Sequence, residues 1–136
     1  MEQITLPSDG SCCWAGMGDY QISTPNQENI LEISYLGEPP HGDSYHTAKI
    51  NGLPFPGYVW GCLFASTENS RYIFCSWMSK LLERKTIAID CVEHKYFVLP
   101  DYIHAFNVKW PKIMGCDGER ANMFYEFTGK EQWLSF

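Results

Sequence analysis

The segment Asp9-Gly10-Ser11-Cys12-Cys13-Trp14-Ala15 places a cysteine directly after a tight glycine turn, an arrangement that presents a thiol nucleophile to a substrate. To act, the thiol must lose its proton near neutral pH, which takes a helix N-terminus, a neighbouring imidazole, or both. A helix is hard to extend here, because Gly16 and Gly18 follow within a turn and each costs an ordinary helix roughly 1 kcal/mol. The imidazole would come from His104, ahead of Ala105-Phe106, or from His94 in an expected turn. In this scheme Cys12 or Cys13 attacks and His104 or His94 is the base. The plainer reading is a cysteine pair in a strand with one side chain turned inward.

A second group, His41-Gly42-Asp43-Ser44-Tyr45-His46, gathers two imidazoles and a carboxylate, donors that a divalent cation accepts. Loop spacing of this kind sets no coordination geometry, and no C-x-x-C pair adds to it, so neither a metal nor another cofactor is expected. The segment follows Gly37-Glu38-Pro39-Pro40 and reads as a polar loop open to a partner. No glycine-rich phosphate loop or dinucleotide fingerprint occurs. The six cysteines read as free, mostly buried thiols of a reducing compartment.

Charge is distributed unevenly. Glu2, Asp9, Asp19, Glu28, Glu32, Glu38 and Asp43 precede the first base, Lys49, whereas the rest of the chain is nearly balanced. The net charge of -6 therefore comes from the N-terminal third, which suits a basic partner. The ten bases are dispersed, and Lys80, Arg84 and Lys85 form only a small group, so nucleic acid is not an expected partner. The start lacks a basic n-region and no apolar run reaches membrane-spanning length, so the expected location is cytoplasmic, with no membrane partner.

Any such site must be carried by strands. The chain has 136 residues, 45% of them hydrophobic and 15% aromatic, with 8 prolines and 11 glycines spread throughout, as in one domain of short strands joined by turns. Arg71 to Met78, Thr86 to Cys91 and Tyr96 to Leu99 read as neighbouring strands of an antiparallel meander. Asn29 to Leu36, Tyr45 to Ile50, Tyr58 to Ala65, Ala105 to Trp110 and Met123 to Phe127 add more, with turns at Gly37 to Gly42 and Asn51 to Gly57. Short helical stretches are expected at Pro100 to His104 and within Ser76 to Arg84, where Met78, Leu81 and Leu82 share a helical face. The expected fold is mainly β: a single-domain antiparallel β-meander or sandwich with few short helices.

Two resemblances bear on function. The segment around Cys12 resembles the nucleophile motif of ovarian-tumour-type deubiquitinases, and more faintly papain's Gly-Ser-Cys-Trp-Ala. The first likeness implies Cys12 as nucleophile with Asp9 supporting it, and the second would choose Cys13. Over residues 56 to 129 the cadence Pro56-Gly57-Tyr58-Val59-Trp60-Gly61-Cys62, Asn69 to Trp77, Arg84 to Asp90, Tyr96 to Pro100 and Lys109-Trp110-Pro111 is similar to small bacterial immunity proteins. These neutralise secreted toxins of polymorphic, type VI or contact-dependent systems. The resemblance implies a cytoplasmic inhibitor, not an enzyme, that binds one cognate toxin domain and blocks it. A basic, cytosol-acting toxin suits the acidic N-terminal third, and the residues expected to meet it are Glu28, Glu32, Glu38, His41, Asp43, Tyr45 and His46. The thiol hydrolase and a structural or accessory β-domain are the alternatives.

Overall fold

A computed structural model describes residues 2–38, 44–80, 83–116 and 122–136, and every regular element among them is a strand. β3 (Tyr20–Ser23), β4 (Ile30–Gly37), β5 (Tyr45–Ile50), β6 (Leu53–Ser66), β7 (Tyr72–Met78), β8 (Lys85–Asp90) and β9 (Lys95–Val98) pair in chain order, each antiparallel to the next. The expected meander is thus extended to seven strands. β1 (Glu2–Thr5) joins parallel to β3, β13 (Leu134–Ser135) pairs with β9, and β2 (Cys13–Trp14) pairs with β6. A separate sheet holds β10 (Phe106–Lys109), β11 (Lys112–Gly115) and β12 (Phe124–Glu126).

Alternation along the strands builds two cores from one shared layer. In β7 and β8, Ile73, Cys75, Trp77, Ile87 and Ile89 point to a first core completed by Tyr20, Ile22, Leu31, Ile33 and Ile50 from β3 to β5. Phe74 and Ala88 point the opposite way, to a second core with Phe106, Val108 and Ile113 of the small sheet. Both faces of β7 and β8 are therefore covered, which is why Ile73 to Met78 and Thr86 to Asp90 are buried without a break. Each fully buried Phe or Ile in these cores contributes roughly 1.5–3 kcal/mol.

β6 folds the large sheet over on itself. It begins at Leu53, inside the segment expected to be turn, because Asn51 (φ 49°) and Gly52 (φ 84°) alone complete a two-residue hairpin between β5 and β6. Pro54 and Pro56 are tolerated because β6 pairs there with β5 only; β7 joins at Tyr58. Gly57 has a φ of 72°, and a Cβ on it would lie 2.5 Å from the Met78 carbonyl oxygen, so glycine is required. Beyond Val59 the register with β7 shifts and the strand bends. The bend brings the β6–β7 turn back to the β3–β4 turn, where Asn29 Nδ2 donates to Ser70 O (2.9 Å) and Asn29 Oδ1 accepts from Asn51 Nδ2 (3.0 Å).

The short helices expected at Pro100 to His104 and in Ser76 to Arg84 are not found among the described residues. Ser76 to Met78 completes β7, Leu81 and Leu82 lie outside the described residues, and Ile103 is tied instead to β8. Its N–H donates to Thr86 Oγ1 (2.8 Å) and its carbonyl accepts from the same hydroxyl (3.1 Å), leaving neither group for a helical turn.

Candidate interaction surface

The six described acids of the first forty-eight residues divide among separate places. Asp9 lies in the turn before β2, where its Oδ1 accepts from Ser11 N (3.0 Å) and Ser11 Oγ (2.6 Å), and these bonds hold its carboxyl below the usual range. Glu28 sits in the β3–β4 turn, accepting from Asn26 Nδ2. Glu32 is on the outward face of β4, directly across from Lys49 of β5. Glu2, Asp19 and Glu38 collect at the far end of the same layer, about 25 Å of extended chain from Glu28. Asp43 and His41 lie outside the described residues.

At that far end an apolar group is left open to solvent. Met17 is 44% exposed and Tyr35 42%. Met17, Gly18, Asp19, Tyr35 and Glu38 line a shallow concavity of about 500 Å³. Asp19 Oδ1 accepts from the Tyr35 N–H (2.8 Å), and the Tyr35 hydroxyl lies 3.5 Å from Glu38 Oε1. Loss of solvent, then the Glu38 carboxylate, raises the Tyr35 phenol above its ordinary pKa, so it stays a neutral donor. Gly16 and Gly18 give the Met17 loop its shape, and Gly16 has a φ of 101° beneath the Trp14 ring.

His46 supports this surface from below. Expected in an exposed loop, it is fully buried, because the alternation of β5 turns His46, Ala48 and Ile50 inward. Its Nδ1 faces Val59 O, and its Nε2 faces Ser44 Oγ and Met17 O, each at 3.4 Å. The ring also meets the edges or faces of Tyr20 (5.8 Å) and Tyr35 (5.9 Å). Burial lowers its pKa, so the core imidazole is neutral near pH 7. A neutral His46 thus braces both Met17 and Tyr35, a positioning role and not direct contact with a partner. Tyr45 is half-buried against Tyr58 at 5.7 Å.

The hydrolase residues are not assembled. Cys12 sits in extended chain packed on the second core, and Cys13 in β2 packs on the first, so the pair straddles the two cores. No helix follows. His104 Nδ1 pairs with the Tyr102 hydroxyl (3.1 Å), and no hydrogen bond joins Cys12, Asp9 and His104. The free thiols Cys75 and Cys91 are in the first core, where burial pushes both up to about 12. Among the described residues no group of three or more His, Cys, Asp or Glu could hold a metal ion.

Charge completes the picture. Among the described residues the ion pairs are Arg71 with Asp90 (2.9 Å), Glu93 with Lys95 (3.7 Å) and Lys112 with Glu126 (3.6 Å). None uses an acid from the first forty-eight residues, so Asp19 and Glu38 carry uncompensated charge beside Met17 and Tyr35. Sequence reasoning found Glu38, counted Asp19 only among the N-terminal acids, and passed over Met17 and Tyr35. The available signal was the end of alternation in β4, where Tyr35 and Leu36 are consecutive apolar residues beside an acid. No family model, curated protein or solved structure matches this chain.

Proposed function

We propose that the protein is a cytoplasmic inhibitor of the immunity type, which binds a basic toxin domain through the surface formed by Met17, Asp19, Tyr35 and Glu38. The observation that carries this reading is the concavity in which exposed Met17 and Tyr35 stand beside Asp19 and Glu38, carboxylates with no base paired to them among the described residues. Rings and thioethers in such a patch supply affinity when desolvated, while the carboxylates speed encounter and select a positive partner. Binding is favoured over turnover by the open concavity and by the absence of a hydrogen bond from Cys12 to His104, whose Nδ1 pairs with Tyr102.

The test is protection. Cells expressing the toxin domain encoded by the neighbouring reading frame are expected to survive when the protein is co-expressed. They are expected to die when it carries Tyr35→Ala together with Asp19→Asn and Glu38→Gln. Asp19→Asn keeps the acceptor for the backbone N–H at position 35, Glu38→Gln removes charge with little change of shape, and circular dichroism checks that the triple variant is folded. Undiminished protection by the triple variant would refute this surface, and death with the wild-type protein would refute the inhibitor reading.

A further inference from the structure

On the small-sheet side of the shared layer, four aromatic rings pack together, with Trp110 exposed, Tyr72 and Trp133 half-buried and Phe127 buried beneath them. Trp110, in the β10–β11 turn, stacks on Tyr72 at 4.2 Å with 7° between the planes, and lies 4.7 Å from Phe127. Trp133 closes the group, 5.7 Å from Tyr72 and 5.9 Å from Phe127. Trp110 is 42% exposed and lines two concavities of about 760 and 470 Å³, so it stands as a ridge between them. A ligand lying across it would occupy both.

The groove holds three donors that are not used within the fold. The indole N–H of Trp110, the indole N–H of Trp133 and the Tyr72 hydroxyl have no hydrogen-bond partner among the described residues, in contrast to Trp77, whose N–H donates to Pro56 O. Two of the carboxylates, Asp90 and Glu131, are occupied. Asp90 takes both Arg71 contacts and the N–H groups of Val92 and Glu93. Glu131 takes bonds from Tyr125, Thr128 and Gly129, which together outweigh its desolvation and hold its carboxyl at about 2. Among the described lining residues, five carboxylates face three bases.

That inventory selects a ligand. A polyanion meets net negative charge. A sugar brings a donor with every hydroxyl and finds the Asp90 and Glu131 acceptors engaged. A proline-rich segment in polyproline II form has ring faces to lay on aromatics, carbonyls that no internal hydrogen bond uses, and no N–H at its prolines. It is also ordered before binding, so little entropy is lost on a rigid aromatic ridge. Glu68, exposed at the rim and in no ion pair among the described residues, suits a basic residue within the segment. We propose that the groove on both sides of Trp110 binds a proline-rich peptide segment carrying basic residues.

The probe is an eleven-residue proline peptide with two arginines, titrated against the full chain while the tryptophan indole N–H resonances are followed. Saturable shifts of the Trp110 and Trp133 indole signals are expected, with a Gly/Ser peptide of equal charge at least tenfold weaker. Trp110→Phe, which keeps the stacked ring and removes the donor, should weaken the proline peptide about fivefold. Asp19→Asn with Glu38→Gln should leave it unchanged, which separates this groove from the inhibitor surface. Absent indole shifts at millimolar proline peptide would overturn the proposal. So would equal binding of the Gly/Ser peptide, or shifts caused instead by a linear glucan hexasaccharide.

Discussion

His46 shows how a residue with the chemistry of a ligand becomes a structural one. Unfolded, its imidazole titrates near 6.5; folded, burial holds it lower. In that window the unfolded chain binds a proton that the folded chain does not, so stability falls as the pH drops below about 6.5 and levels off below the folded value. Urea midpoints measured between pH 7.5 and 5.5 should fall in the wild type and fall less in His46→Gln. An equal slope in both would remove His46 from the account. The thiols carry the complementary expectation: Cys12→Ala and Cys13→Ala should leave toxin protection intact, and loss of protection in either variant with the fold retained would return the thiol to the mechanism. At Tyr35 the expectation reverses, because truncating an aromatic anchor at the centre of an interface weakens binding by about thirtyfold. Titration calorimetry with the toxin domain would show it.

The elements explain why part of the fold was legible in the sequence. β4, β5 and β7 to β9 carry enough alternating or continuous apolar residues to be read directly, and their antiparallel order follows from short connections. β3 and β11, Tyr20–Ser23 and Lys112–Gly115, carry two apolar residues each, against three in the equally short β9, and they gain their place from pairing. The start of β6 was missed because its prolines mimic a turn, although Asn51-Gly52 is itself a strong hairpin signal. The two glycines at its start test that interpretation. Gly52→Ala meets nothing within 4 Å and should cost only the positive-φ penalty, about 1–2 kcal/mol. Gly57→Ala drives a methyl into the Met78 carbonyl and the Trp77 ring and should cost clearly more by urea denaturation. Similar costs at both positions would contradict the tight β6–β7 approach. Of the candidate surface, the acids were legible and their partition was not, since β4 alone carries Glu28 and Glu38 to opposite ends of a layer.

At the scale of the molecule, folding sorts an evenly acidic N-terminal third into one coherent surface and several unrelated positions. Glu32 faces Lys49 and Asp9 is engaged with Ser11, so neither adds to the cluster made by Glu2, Asp19 and Glu38. Steering should therefore reside at one end of the β1–β3–β4–β5 layer, not across the chain's whole acidic stretch. The most direct measurement is the association rate of the toxin domain with the wild type, with Asp19→Asn/Glu38→Gln, and with Glu28→Gln/Glu32→Gln, each across a salt series. The first pair should slow association about tenfold at low ionic strength and flatten its salt dependence, while the second should change it little. Equal slowing by both pairs, or no slowing by the first, would contradict the assignment of this surface.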